Sequence, residues 1–336
     1  MTDAGQASYF DYSLPSEYIA QEPVEPRDAA RLLVDRAGAE VAHRRVGDLV
    51  DLLDPGDVLV VNDTRVSHAR LLLTKPTGGR AEVLLLEPTG AGGQWQALVK
   101  GGRRIRPGTE LGVEGETVVI VGDELGDGRR LVELVADDAM DRLGLLPLPP
   151  YIHQRLDNDE RYQTVFARRQ GSVAAPTAGL HLTDELMARI RDHGVHIVTV
   201  ELQVGLGTFR PITADHIAEH RMHTERYRVE PDAWQRIRAG SRVVAVGTTV
   251  VRTLESVAAS GRLEGATDLF ITRSHPWQVV DTLLTNFHVP RSSLLVLVDA
   301  FMGPRWADLY RIALDEGYRF LSFGDAMLVD RRHPDQ

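Results

Sequence analysis

The stretch L-D-P-G-D-V-L-V-V-N-D-T-R-V at positions 53–66 decides how this 336-residue chain is organised. Pro55-Gly56 stops a short helix over 47–53, and the Val and Leu run at 58–61 reads as a buried strand. Asn62, Asp63, Thr64 and Arg65 then close that strand with polar groups. The carboxyl end of such a strand is the usual ligand edge of an α/β sheet, although Asn, Asp and Thr also serve as plain turn formers. Upstream, residues 32–35 and 41–46 form a hairpin around Ala37-Gly38.

Downstream of Val66 the texture changes. Apolar runs at 71–73, 83–86, 95–99, 117–121 and 131–135 are separated by Gly-rich punctuation (TGGR, GAGGQ, KGGRR, VEGE, GDELGDG). Short strands with turn signals and no helical periodicity predict an antiparallel barrel or sandwich. L-G-L-L-P-L-P-P-Y-I, ending at Ile152, is a stiff connector out of it. Beyond Asp157 helices and strands alternate again: a helix over 183–193 with Thr183 as N-cap and strands at 195–204 and 243–246. A helix from Gly247-Thr248-Thr249 to about 260 follows, then strands at 269–272 and 279–284, helices at 292–301 and 306–316, and a last strand at 318–322. The chain thus predicts a discontinuous α/β domain, residues 1–66 and 153–336, with a β-rich domain, 67–152, inserted.

Composition narrows the chemistry. Hydrophobic residues make up 43% and charged residues 26%, and no apolar stretch approaches the roughly 18–20 residues of a membrane helix. The first ten residues lack a basic-then-apolar signal, so a cytoplasmic protein is expected. Zero cysteine excludes disulfides, thiolate nucleophiles, cysteine zinc sites and iron–sulfur clusters. Only Lys75 and Lys100 are lysine, which leaves two candidates for Schiff-base chemistry. The net charge of −10 argues against nucleic acid, yet positions 60–110 carry eight basic and four acidic residues.

Five segments concentrate polar groups in ligand-binding contexts. The first is Asn62–Asp63–Thr64–Arg65. The second, A-A-P-T-A-G-L-H-L at 174–182, sets His181 at the mouth of a helix N-terminus, where free N–H groups suit an anion. V-G-L-G-T-F at 204–209 is a strand entering a Gly-x-Gly turn that lacks the third glycine of a dinucleotide fingerprint. In H-R-M-H-T-E at 220–225, a continuous helix from His216 would put His216, His220 and His223 on one face near Glu225, as a metal site, a proton-transfer pair or a solvated helix end. Late in the chain, V-G-T-T-V-V-R-T-L-E-S at 246–256 offers a second helix N-terminus with Arg252 one turn in, T-N-F-H at 285–288 brings Asn286 and His288, and F-G-D-A-M brings Asp325.

In this order these strings closely resemble the queuosine-biosynthesis family of S-adenosylmethionine:tRNA ribosyltransferase-isomerases. The resemblance runs from F-D-Y-S-L-P at 10–15 and P-R-D-A-A-R-L-L at 26–33, through L-D-P-G-D-V-L-V-V-N-D-T-R-V, P-L-P-P-Y-I, A-P-T-A-G-L-H-L, G-L-G-T-F, H-R-M-H-T-E and A-V-G-T-T-V-V-R-T-L-E-S. It ends with T-N-F-H-V-P and Y-R-F-L-S-F-G-D-A-M at 318–327. It implies a β-barrel inserted into the α/β domain. It also implies transfer and isomerisation of the ribosyl part of S-adenosylmethionine onto 7-aminomethyl-7-deazaguanine in tRNA, giving epoxyqueuosine with release of adenine and methionine. The expected partners are tRNA and S-adenosylmethionine, the latter as substrate; no cofactor, metal or membrane is expected, and the chain is expected to be a monomer.

The chain departs from the family pattern at Gln203, where His is usual, at Ser67-His68, at Asp299 in place of a small residue, and over 272–277. An altered tRNA acceptor, or a relative without catalysis, is therefore an alternative. A metal-dependent hydrolase built on His216, His220, His223 and Glu225 is another.

The reaction asks for a base beside the sulfonium-acidified C5′, a donor near adenine and a clamp for the methionine carboxylate. His181 or His223 is the expected base, with Glu225 orienting His223. Asp325 and Asn286 are expected on adenine or sugar, and Arg252 with Gly247-Thr248-Thr249 on the carboxylate. Thr177, Gly179, Gly207, Thr208, His220, His288 and Asn62 to Arg65 complete the expected substrate site. Lys100, Arg103, Arg104 and Arg106 are expected on tRNA phosphates.

Overall fold

The computed structural model describes residues 3–90, 92–101, 105–126, 128–136, 138–205 and 211–332. The chain divides into two compact units, Met1–Arg65 with Pro149–Gln336, and Val66–Leu148.

The first unit is built on a nine-stranded mixed sheet. Four central strands run parallel in the order His196–Leu202, Val58–Asn62, Val243–Val246, Thr282–Asn286. Ala326–Asp330 pairs antiparallel with Thr282–Asn286 and parallel with Arg31–Asp35, and the expected hairpin partner Ala42–Arg45 forms that edge. Strand Val58–Asn62 is buried throughout, and its alternation divides the interior. Val58 and Val60 pack into one core with Val250, Leu254 and Val257 of helix Thr248–Ser260. Leu59 and Val61 pack into the other with Leu186, Met187 and Ile190 of helix Asp184–Asp192. Thr183 caps that helix by accepting from the Leu186 amide at 3.1 Å.

The second unit contains a closed barrel of six antiparallel strands. Arg70–Thr74, Arg80–Pro88, Gln94–Lys100, Glu110–Val113, Glu116–Gly126 and Arg129–Leu134 enclose Leu71, Leu73, Val83, Leu85, Val119, Val121 and Val132. Ring closure leaves no unpaired sheet edge. At Gly112 a Cβ would lie 1.9 Å from the Glu116 carbonyl oxygen, so only glycine lets the two strands approach there. The basic window is only one part of this unit, since positions 66–148 hold ten basic and twelve acidic residues.

Three strand expectations are corrected. Residues 269–272 are not a strand, because the sheet takes Glu264–Thr267 instead. The strand expected over 279–284 begins at Thr282, because the Val279 and Val280 amides are bound by the buried Glu255 carboxylate (3.1 Å each) before the chain enters the sheet. Residues 318–322 do not form the final strand: Leu321 has φ +69°, which breaks extended backbone, and the strand is Ala326–Asp330.

Candidate active site

The carboxyl ends of the central strands deliver Gly247 and Asn286 to one edge, and the cleft lies there. It lies between the 175–178 loop, the start of helix Thr248–Ser260 and the 285–288 turn, and its free space, open solvent included, is about 370 Å³. Thr177, Val204, Gly247, Thr248, Thr249, Thr285, Asn286 and His288 are among its lining residues.

Gly247 holds φ +90°, a conformation that favours glycine, and turns the chain directly from strand into helix. No side chain caps that helix. Its Val250 and Val251 amides bond the Gly247 carbonyl, while the Thr248 and Thr249 amides make no backbone bond of this kind. Thr249 lines the same cleft, and its hydroxyl is buried without a hydrogen-bond partner among the described residues. Uncapped amides, the positive end of the helix dipole and an orphan hydroxyl form a cradle for an anion.

Across the cleft stands Asn286. Its amide Nδ2 donates to the Leu321 carbonyl (3.1 Å) and to His181 Nε2 (3.2 Å), and its Oδ1 accepts from the Thr177 hydroxyl (2.9 Å). The carbonyl fixes which end of the amide is the donor, so His181 Nε2 is an acceptor and its ring is neutral. Burial, reinforced by the Arg319 and Arg27 charges, pushes His181 down to about 4. His288 is also buried and is pushed down to about 3 by that burial. Its Nε2 lies 3.0 Å from the Thr285 hydroxyl, its amide donates to the Tyr310 hydroxyl (2.9 Å), and its carbonyl accepts from Tyr12.

Other expected site residues lie elsewhere. Arg252, expected to clamp a carboxylate, is buried against Glu225 and donates to the Leu269 carbonyl (3.2 Å), so its guanidinium is committed within the protein. Glu225 does not turn to His223: its oxygens take Arg252 and the Gly205 amide (2.9 Å). Asp325 accepts from the amides of Arg31 (2.8 Å) and Arg319 (2.7 Å), so its carboxylate ties two backbone segments together. Asn62 likewise brackets Leu202, accepting from its amide (3.1 Å) and donating to its carbonyl (3.0 Å); the Thr64 hydroxyl donates to the same carbonyl (3.4 Å). Asp63 keeps one buried carboxylate oxygen without a partner, and burial raises its pKa against the pull of Arg169. Arg65 pairs with Glu160. A Cβ on Gly179 would meet the Phe166 ring at 2.7 Å, so that glycine serves packing.

The helix expected through His216, His220 and His223 does not form. Only a 3-10 turn, Ile217–Glu219, is present; His216 and His223 are exposed, and His220 leans on Phe270. The common face proposed for a metal is therefore lost, and among the described residues no group of three His, Asp or Glu is placed to hold one. Burial, with His223 nearby, lowers the His220 pKa. Lys100 and Arg106 are exposed on the barrel unit. Gly207, Thr208, Arg103 and Arg104 lie outside the described residues.

Thr285 and Pro176 also line the cleft, although neither is among the expected site residues. They lie in the strings T-N-F-H and A-P-T-A-G-L-H-L. The Gln203 amide donates to Glu201 (3.0 Å), whose other oxygen pairs with Arg169 (2.8 Å).

Comparison with known proteins gives a consistent picture. The family described as queuosine biosynthesis protein matches residues 7–329. A protein of Anaeromyxobacter sp. (strain Fw109-5) named S-adenosylmethionine:tRNA ribosyltransferase-isomerase is 50% identical over 342 residues, covering 96% of this chain and 99% of its own. One of the same name from Moorella thermoacetica is 50% identical over 337 residues, covering 95% and 98%. The crystal structure of S-adenosylmethionine tRNA ribosyltransferase from Thermotoga maritima is similar at a TM-score of 0.55 and 37% identity, covering 96% of this chain and 100% of that one.

Proposed function

Since this chain belongs to the queuosine biosynthesis protein family, we propose that it transfers and isomerises the ribosyl moiety of S-adenosylmethionine onto 7-aminomethyl-7-deazaguanine in tRNA, yielding epoxyqueuosine, adenine and methionine. The observation that carries this reading is the cleft itself. It opens at the carboxyl edge of the parallel strands, with an uncapped helix N-terminus on one side and the Asn286 network on the other.

In this assignment the Thr248 and Thr249 amides and the Thr249 hydroxyl take the methionine carboxylate, without Arg252. Asn286 and Thr177 face the sugar and adenine. Asn286 is held by Leu321 and His181, so its orientation is set before substrate arrives and costs little on binding. Glu225, paired with Arg252, holds the Gly205 amide. The acceptor base must be splayed out of its loop, and Lys100, Arg103, Arg104 and Arg106 are assigned to the neighbouring phosphates. Replacing the three arginines with alanine should weaken tRNA binding and flatten its salt dependence; an unchanged slope would remove that surface from the assignment.

The deciding experiment is mass spectrometry of tRNA bearing 7-aminomethyl-7-deazaguanine after incubation with the protein and S-adenosylmethionine. The ribosyl mass gain with release of adenine and methionine is the expected result. An unmodified tRNA with intact S-adenosylmethionine would overturn the reading.

A further inference from the structure

We infer that His288 is the catalytic base that takes the C5′ proton of S-adenosylmethionine, and that His181 is a positioning residue. The inference rests on the ribosyl-transfer reading above and goes beyond it by naming the group that moves the proton. Three histidines compete for the role, and their surroundings separate them. His223 is exposed and not among the cleft's lining residues. His181 presents Nε2 to the Asn286 amide N–H, which uses the lone pair that a base would need. His288 is the one titratable side chain among the lining residues.

The His288 ring is held for the task. Nε2 lies 3.0 Å from Thr285 Oγ1, and among the described residues Nδ1 makes no hydrogen bond; in the tautomer that donates Nε2–H to Thr285, Nδ1 keeps the lone pair a base needs. The backbone is pinned on both sides, by Tyr310 at the amide and Tyr12 at the carbonyl.

Burial keeps the ring neutral, the form a base requires. The same burial makes imidazolium costly in the empty cleft, but the reaction itself removes this obstacle. The C5′–H bond breaks, its electron pair stays on C5′ beside the sulfonium, and the proton bonds to Nδ1. Substrate charge falls by one as the ring gains one, so the transfer moves a positive charge within the cleft and creates none.

The test uses S-adenosylmethionine deuterated at C5′, with three readouts: loss of label to water, adenine release, and equilibrium binding of S-adenosylmethionine. For His288→Gln the expected result is unchanged binding, no loss of label and adenine release slowed by about 100-fold or more. Loss of label at the wild-type rate would overturn the proposal, as would loss of binding together with turnover, which would make His288 a binding group. If His288→Gln does not fold, Thr285→Val decides, since it keeps the ring and removes only the hydroxyl that Nε2 meets. A kcat about 10-fold lower at constant KM supports the assignment, and an unchanged kcat overturns it. Wild-type protein that leaves tRNA unmodified would instead sink the family reading, so the two failures are distinguishable.

Discussion

Asp299 and Arg273, 26 positions apart, are each other's partners. The buried Asp299 carboxylate accepts from Arg273 Nε (2.7 Å) and Nη2 (2.6 Å), a forked pair, and from Trp306 Nε1 (3.0 Å). Arg273 Nη2 also reaches the Tyr9 hydroxyl at 2.8 Å. The buried carboxylate thus meets the guanidinium that neutralises it, and neither residue lines the cleft.

That pairing fixes the order of mutational costs. Arg273→Ala strands a buried carboxylate and should cost about 3 kcal/mol, whereas Asp299→Asn keeps an acceptor for Trp306 and should cost about 1 kcal/mol. The double variant Arg273→Ala/Asp299→Asn should lose less than its single changes added together. Urea denaturation of the four proteins at pH 7 measures this, and strict additivity would mean that the pair is uncoupled.

Thr249 separates binding from stability. Its hydroxyl is buried with no partner, so Thr249→Val removes no hydrogen bond from the free protein and should leave Tm unchanged or slightly higher. A hydrogen bond to the methionine carboxylate would be lost, so Kd for S-adenosylmethionine should rise by roughly 10-fold. Calorimetric titration checks it; an unchanged Kd would take Thr249 out of the cradle.

Glu255 holds the approach to strand Thr282–Asn286. Burial pushes its carboxyl up, but His275 and the amides of Val280, Val279 and Gln278 outweigh burial and hold it below the ordinary value of 4.5. With the folded pKa depressed, this contribution is full above pH 4.5 and is lost as pH falls through the folded value. Glu255→Gln should cost about 2 kcal/mol at pH 7 and visibly less at pH 3.5. Denaturant midpoints at the two pH values test this, and a pH-independent difference would contradict it.

His181 sets the opposite kind of limit. Burial, then Arg319 and Arg27, lower it from 6.5 to about 4, so between those values the unfolded chain is protonated and the folded chain is not. Its contribution is full above pH 6.5 and declines as pH falls to about 4, by on the order of 3 kcal/mol. His181→Gln should therefore show a flatter loss of stability over that range than wild type. Parallel curves would mean that His181 protonates freely in the folded protein.

Local patterns made most of the fold legible. The all-apolar run at 58–61 specified a strand buried on both faces, Thr183 specified where a helix starts, and the Gly-punctuated runs after Val66 specified a closed or paired β unit. Each depends on residues a few positions apart, whose spacing is set by backbone geometry. The same strings marked the neighbourhood of the cleft, because polar groups at strand ends and glycines at strand–helix turns are local features as well.

Roles were not legible, because partners come from distant parts of the chain. The pairing of Arg252 with Glu225, 27 positions away, and the two backbone amides held by Asp325 come from contacts that no local pattern shows. His181 looked like a base until Asn286, 105 positions away, claimed its nitrogen. By itself the sequence determined the segments and their polarity. Only the tertiary structure decided which buried charges are satisfied, which hydroxyl lacks a partner among the described residues and which imidazole belongs to a residue lining the cleft, since a hydrogen bond depends on atoms meeting within about 3 Å, whatever their separation along the chain.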